Sequence, residues 1–94
     1  MSKLHQQRHK TQKIGFVLLR GFTMITFASA VDVLRMSNYH SQNELYSWHI
    51  YQESDDICAS NGLRLEHTCD MAGLFGCDMV FVFAGIGVPS ATTP

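Results

Sequence analysis

Two stretches of the chain are almost continuously hydrophobic and are bounded by polar residues or glycine. Lys13 to Leu19 (KIGFVLL) lies between a charged tail and Arg20-Gly21, and Asp78 to Phe83 (DMVFVF) precedes a run of small residues. Short, unbroken apolar runs are typical of strands that are buried on both faces, as in a parallel sheet. We therefore predict two central strands at these positions.

A segment with helical spacing follows the first run. Apolar side chains recur there at intervals of three and four, which defines one face of a helix. The members of this stripe are Met24, Phe27, Val31 and Leu34. Gly21 allows a sharp turn, and Thr23 is a suitable N-cap. We predict a helix from Met24 to about Asn38 that packs this stripe on the sheet.

The middle of the chain contains further strand and turn signals. Leu45 to Glu53 is aromatic-rich with partial alternation and is predicted as a strand, which completes a βαβ unit. Asn61-Gly62 is a strong hairpin-turn signal, and it predicts paired short strands at Ile57 to Ser60 and Leu63 to Glu66. Thr68 to Gly76 is expected to be a short helix or a loop.

These elements predict an α/β fold, namely an incomplete flavodoxin-like three-layer domain with a mostly parallel sheet and a small β-hairpin. Parallel strands need helices on both faces, and the sequence supplies one good helix for about three central strands. We expect the architecture to continue past Pro94. The turn Ala84-Gly85-Ile86-Gly87 follows the last strand, and ligands of open α/β sheets bind at that edge.

Composition narrows the class of protein. Hydrophobic residues make up 46% and charged residues 16% of the chain, which favours a globular domain over a disordered one. The net charge of -1 gives no general attraction to nucleic acid or to anionic membranes. Basic residues concentrate before Ile14, so residues 1–12 are predicted to be a flexible basic tail. A basic arm that touches DNA is the alternative for this tail.

A secretion signal is the main alternative for the amino-terminal region. The basic start, the apolar run and Ala28-Ser29-Ala30 imitate its three parts, but Arg20 interrupts the apolar stretch after six residues. Arg20 and Asp32 also exclude this window as a membrane span. We expect a cytoplasmic protein without a membrane segment.

The cysteines and histidines give no recognisable metal motif. Cys58, Cys69 and Cys77 are odd in number and lack C-x-x-C spacing, so free thiols are expected. His67 and Cys69 are close in sequence but lack two further ligands at a recognisable interval. We predict no metal site and no cofactor.

The ordered motifs resemble a known family. They are G-F-T, F-A-S-A-x-D-x-L-R-M-x-N, L-Y-x-W-x-I, A-S-N-G-L and D-M-V-F-V-x-A-G-I-G. This series is similar to the N-terminal class I glutamine amidotransferase-like (PfpI-like) domain of AraC-type transcriptional regulators, particularly those of amino-acid, betaine or carnitine catabolism. The resemblance covers Lys13 to Val88. It implies that residues 13–94 are the first half of a sensor domain, truncated and without the DNA-binding domain.

The resemblance also implies a ligand site. Asp32 falls at an acidic position of the first helix where Glu is usual, and Ala84, Gly85 and Ile86 match a turn that offers backbone N–H groups to a ligand. The family's cysteine at a strand-to-helix elbow has no counterpart, so no catalytic residue is expected. From the residues alone, Asp32 could equally be an ordinary helix carboxylate paired with Arg35.

Three functional interpretations stay open. The first is the ligand-sensing portion of a regulator, inactive alone, which would bind a small amine or amino-acid-like metabolite once completed by the missing half. It would not bind nucleic acid directly, and the resemblance also allows a homodimer. The second is a fragment of a PfpI-like cysteine-dependent hydrolase or chaperone-like protein. The third is a non-functional gene remnant.

Overall fold

A computed structural model of the chain describes residues 10–85. Of the predicted tail, residues 1–9 lie outside this range. The strands and helices in chain order are β1 (Gln12–Leu18), α1 (Met24–Ser41), β2 (Tyr46–Tyr51), a 3₁₀ helix (Met71–Gly76) and β3 (Met79–Phe83). Gln12, which we assigned to the tail, is the first residue of β1. Its N–H donates to the Leu45 carbonyl at 2.9 Å, which extends the pairing with β2 by one residue.

The three strands form one parallel sheet in the order β2-β1-β3. Phe16, at the middle of β1, pairs with Ile50 on one side and with Phe81 on the other. The predicted α/β class, parallel sheet and βαβ unit are confirmed, as an incomplete flavodoxin-like arrangement. The first strand in the sequence is the central strand of the sheet.

The core lies between β1 and α1. Residues 14–18 of β1 are all buried, as the unbroken apolar run predicts for a strand covered on both faces. Phe16 is fully buried, and its ring lies 5.5 Å from that of Phe27 in an edge-to-face arrangement. On the other face, a Cβ at Gly15 would come within 2.9 Å of both Leu74 Cδ2 and Cys77 Sγ. Gly15 therefore lets the 3₁₀ segment pack directly on the strand.

Helix α1 begins where the sequence predicts and presents the predicted stripe to the core. Phe27 is buried, and Met24, Val31 and Leu34 pack partly buried against the core cluster. The helix ends three residues later than predicted, because Gln42 rather than an asparagine adopts the left-handed conformation (φ 60°) that closes it. Among residues 10–85, no helix is both long and apolar enough to cross a bilayer.

Asn38 joins the end of α1 to the start of β2. Its side-chain oxygen accepts the N–H groups of Leu45 at 2.8 Å and Tyr46 at 3.0 Å, and its amide donates to the Tyr46 carbonyl at 2.9 Å. Three hydrogen bonds from one half-buried side chain hold the connection in a single conformation.

We expect Asn38→Ala to lower the free energy of unfolding by about 2 kcal/mol, because two backbone N–H groups and a carbonyl lose their partner. Urea denaturation measures this loss. Asn43→Ala is the matched control, since Asn43 Nδ2 bonds only the nearby Ser41 carbonyl among the described residues. Equal shifts of the two urea midpoints would contradict the role assigned to Asn38.

The predicted hairpin is wrong in its pairing. Asn61-Gly62 does form the turn, with Gly62 at φ +88°, and the Ala59 N–H donates to the Leu63 carbonyl at 2.8 Å. Within the described residues, however, 57–60 and 63–66 do not form a two-stranded ladder. Ala59 instead makes an isolated parallel bridge to Phe22. The physical reason is that the connection between β1 and α1 offers unpaired backbone groups, which compete for those of 57–60.

Strand β3 lies where the sequence predicts but is not buried. The exposed fractions of its residues are 49% for Met79, 42% for Val80, 41% for Phe81 and 61% for Val82. An edge strand with four exposed apolar side chains is unusual for a finished sheet. We predicted that this strand is buried, but among residues 10–85 no element covers these four side chains.

Candidate functional site

The carboxyl ends of β1 and β3 meet at one edge of the sheet. The connection from β1 to α1 lies there and is hydrogen-bonded to residues 58–60 and to Phe83. The Leu19 N–H donates to the Phe83 carbonyl at 2.9 Å, and the Gly21 N–H donates to the Cys58 carbonyl at 3.0 Å. This is the edge at which open α/β sheets bind ligands.

The predicted turn Ala84-Gly85 lies at this edge, whereas Ile86 lies outside the described residues. A Cβ on Gly85 would overlap the Gly21 carbonyl and come within 3.2 Å of Gly21 Cα. Gly21 itself has φ +75°, in the region that favours glycine. Two glycines therefore bring the backbones of two loops into direct contact, which explains the small residues at this turn.

Asp32 lies elsewhere. Its carboxylate pairs with Arg35 at 3.2 Å, and the two side chains are 65% and 58% exposed. It stands eight residues after the start of α1, roughly 12 Å along the helix axis, since each residue rises about 1.5 Å. No hydrogen bond among the described residues joins Asp32 to the turn. Because α1 begins at this edge, a residue of its first turn, such as Thr26, lies closer to the edge than Asp32 does. The position of Asp32 along the predicted helix already indicated this distance.

A second group of polar side chains lies at the end of β2. The chain returns there after the 61–62 turn, and Thr68 extends the sheet pairing by an isolated parallel bridge to Tyr51. The Thr68 N–H donates to the Ile50 carbonyl at 2.9 Å, and the Gln52 N–H donates to the Thr68 carbonyl at 3.1 Å. In extended backbone, residues two apart point to the same side. The side chains of His67 and Cys69 are thereby brought together.

The carboxylate of Asp55 completes this group. Its Oδ1 atom lies 2.8 Å from His67 Nε2 and 3.5 Å from Cys69 Sγ. We name Asp55, His67 and Cys69 the acid–thiol cluster. From the sequence, no further ligand was expected for His67 and Cys69. The contacts span 12 and 14 residues, and only the turn at Asn61-Gly62 signalled that the chain folds back.

The loop that carries Asp55 is held from inside by Gln52. This side chain is fully buried, and its amide nitrogen donates to the carbonyls of Ser54 at 3.2 Å and Ile57 at 3.4 Å. Its Oε1 atom has no partner among the described residues. One amide thus bridges both sides of the loop that presents Asp55.

The three cluster groups change one another's proton affinity. The hydrogen bond from His67, followed by that from Cys69, lowers the pKa of the Asp55 carboxyl. The backbone hydrogen bond to Leu65 raises the pKa of His67, burial opposes this rise, and Asp55 adds to it. Burial, followed by the contact with Asp55, raises the pKa of the Cys69 thiol. The contacts within the cluster therefore make the carboxyl group lose its proton more readily than usual, and the imidazole and the thiol less readily.

The fold is similar to that of a solved transcriptional regulator. The crystal structure of an AraC family transcriptional regulator from Pseudomonas putida matches this chain with a TM-score of 0.70 and 25% sequence identity, over 84% of this chain and 45% of that one. No protein-family model matches the sequence.

Two curated regulators of Pseudomonas aeruginosa are similar in sequence. The HTH-type transcriptional regulator GbdR is 39% identical over 88 residues, which is 93% of this chain and 24% of GbdR. The HTH-type transcriptional regulator CdhR is 36% identical over 86 residues, which is 89% of this chain and 25% of CdhR. The chain thus spans about a quarter of the length of these relatives. Its homologues are regulators, and none of these three is described as an enzyme.

Proposed function

We propose that residues 13–94 form the first half of a glutamine amidotransferase-like (PfpI-like) sensor domain, the ligand-sensing portion of an AraC-type regulator. The observation that carries this proposal is the 39% identity to GbdR across 93% of the chain. The proposed regulator acts in the cytoplasm, and this segment does not itself contact DNA. It is inactive until the remainder of the domain completes it.

The exposed face of β3 supports the idea of a completing half. Four apolar side chains of this strand are exposed, and a parallel strand is normally covered on both faces. The solved regulator contains more chain than this segment matches, since the match covers 45% of it. In the proposal, the continuation of the domain covers β3 and also provides the surface for a homodimer.

The proposed ligand is a small amine or amino-acid-like metabolite of the betaine or carnitine type. Such a molecule carries a carboxylate and an ammonium group. The backbone N–H groups of Ala84, Gly85 and Ile86 are the proposed partners of the carboxylate, because Ala84 and Gly85 lie at the edge where open α/β sheets bind ligands. Asp32 is the proposed partner of the ammonium. Its exposure and its distance along α1 make it the outlying member of this set.

Catalysis is not part of the proposal. A cysteine nucleophile of this fold would need a tight turn between a strand and a helix together with an activating base. Cys58 and Cys69 lie in loops, and Cys77 follows the 3₁₀ helix and precedes β3. None of the three occupies such a turn, and the raised pKa of Cys69 opposes a thiolate.

The test is a chimera in which this segment replaces the matching 88 residues of GbdR in the full-length regulator. We expect a reporter gene under GbdR control to respond to at least one of a panel of betaine, carnitine and amino acids. The control chimera carries the segment with Phe16→Ala, which removes a fully buried ring from the core. Loss of response in both chimeras, with normal protein levels of the first, would contradict a sensing role.

Within the responding chimera, we expect Asp32→Asn to raise the half-maximal effector concentration about 10-fold, equivalent to about 1.4 kcal/mol of binding free energy. Glu53→Gln, which removes another exposed carboxylate, is the matched control and should leave the response unchanged. An unchanged response in Asp32→Asn would show that Asp32 does not bind the effector and would leave residues 84–86 as the proposed binding residues.

A further inference from the structure

We propose that Asp55, His67 and Cys69 bind one Zn²⁺ ion. The three side chains offer a carboxylate oxygen, an imidazole nitrogen and a sulfur, and these atoms all lie within 4.8 Å of one another. Zinc accepts this mixture of ligands, whereas calcium and magnesium prefer oxygen alone.

Two of the three distances between ligand atoms are close to those around a tetrahedral ion. Zinc bonds of about 2.0–2.3 Å place neighbouring ligand atoms roughly 3.4–3.7 Å apart. The Cys69 Sγ to Asp55 Oδ1 distance is already 3.5 Å. The His67 Nε2 to Asp55 Oδ1 distance of 2.8 Å has to increase by less than about 1 Å, and the Asp55 side chain is 90% exposed and can rotate. Water on this exposed side completes the coordination.

The imidazole is oriented as in many zinc proteins. His67 Nδ1 lies 2.9 Å from the Leu65 carbonyl, so the Nδ1–H donates to it and Nε2 is left to face the carboxylate. A ligating histidine commonly makes such a second hydrogen bond to a backbone carbonyl. In the neutral ring, Nε2 and Asp55 Oδ1 are both acceptors, and they lie 2.8 Å apart. A proton or a metal cation has to lie between them.

The backbone holds the three ligands before the ion arrives. Thr68, which separates His67 from Cys69, is hydrogen-bonded on both sides to the end of β2. Gln52 holds the loop of Asp55 from inside the protein. Because few residues have to become ordered when the ion binds, the entropic cost of forming the site is small. Binding displaces the thiol proton of Cys69, and the Nε2 proton when the ring is cationic, to solvent.

The experiment titrates the metal-free 94-residue chain with Co²⁺, followed by displacement with Zn²⁺. We expect one Co²⁺ per chain and a thiolate-to-cobalt absorption band that Zn²⁺ abolishes. Asp55→Asn, His67→Gln and Cys69→Ser should each weaken Zn²⁺ binding at least about 10-fold. The matched controls Asp56→Asn, His40→Gln and Cys58→Ser should bind within about twofold of the unchanged chain.

Three results would overturn the proposal. The first is the absence of saturable binding. The second is wild-type affinity in Asp55→Asn, because a flexible chain that binds through His67 and Cys69 alone has no need of a residue 12 positions away. A measurement on the unaltered chain is independent of how the variants fold. Zn²⁺ should slow alkylation of Cys69 at least about 10-fold and leave Cys58 and Cys77 unaffected. The third contradicting result is an alkylation rate of Cys69 that Zn²⁺ does not change.

Discussion

Phe16→Ala is expected to lower the free energy of unfolding by about 3–5 kcal/mol, the usual cost of removing a buried aromatic ring. Phe16 is 0% exposed, and its ring contacts those of Phe27 and Phe83 at centroid distances of 5.5 Å each. The substitution therefore leaves a cavity between the central strand, α1 and the end of β3. A chain of this size has roughly 5–14 kcal/mol of stability in total, so the variant should be largely unfolded well below the melting temperature of the parent.

Circular dichroism during urea or thermal denaturation measures this effect. Phe75→Ala is the matched control, because the same ring is removed from a position that is 94% exposed. It should change the free energy of unfolding by no more than about 0.5 kcal/mol. Similar shifts for the two variants would mean that the core around β1 is not packed as described.

Gly85→Ala is expected to have an effect of comparable size for a different reason. The added methyl group would overlap the Gly21 carbonyl, and neither backbone can move by rotating a side chain. We expect a loss of about 3 kcal/mol or more, or a displaced turn at the edge of the sheet. Amide hydrogen exchange distinguishes these outcomes, since the Leu19 N–H that donates to Phe83 should lose protection if the turn moves.

Gly76→Ala controls for the general effect of replacing glycine. A Cβ at Gly76 meets nothing within 4 Å, so the same substitution adds a methyl group to open space. The control should preserve both stability and amide protection. If Gly85→Ala also left stability and amide protection unchanged, the two loops would not be in close contact, and the turn proposed to bind the ligand would not be built as described.

The sequence predicts the sheet and the helix well because their signals are local. Lys13 to Leu19 and Asp78 to Phe83 are unbroken apolar runs, and both contain strands in the structure. Thr23 marks the residue before α1, although its side chain makes no capping hydrogen bond. Strong local patterns of this kind survive folding because the core requires the same faces that the pattern supplies.

The features that sequence analysis missed all depend on distant partners. The prediction of a hairpin at 57–66 was wrong because Ala59 pairs with Phe22, which is far away in the chain. The exposure of Asp32 depends on which side of α1 faces the sheet and on how far along the helix it lies. The acid–thiol cluster depends on a loop of 12 residues closing between Asp55 and His67. No local pattern contains this information.

Because β1 is at the centre of the sheet, both of its partner strands are synthesised after it. β1 is synthesised first, but it pairs with β3 from Ile14↔Met79 onwards, 65 residues later. At about 5–20 residues per second, a ribosome takes roughly 3–13 s to make the intervening chain. During that interval β1, whose residues 14–18 are buried in the folded protein, has an unpaired edge. Binding by chaperones at β1 during translation is the consequence that we expect of this topology.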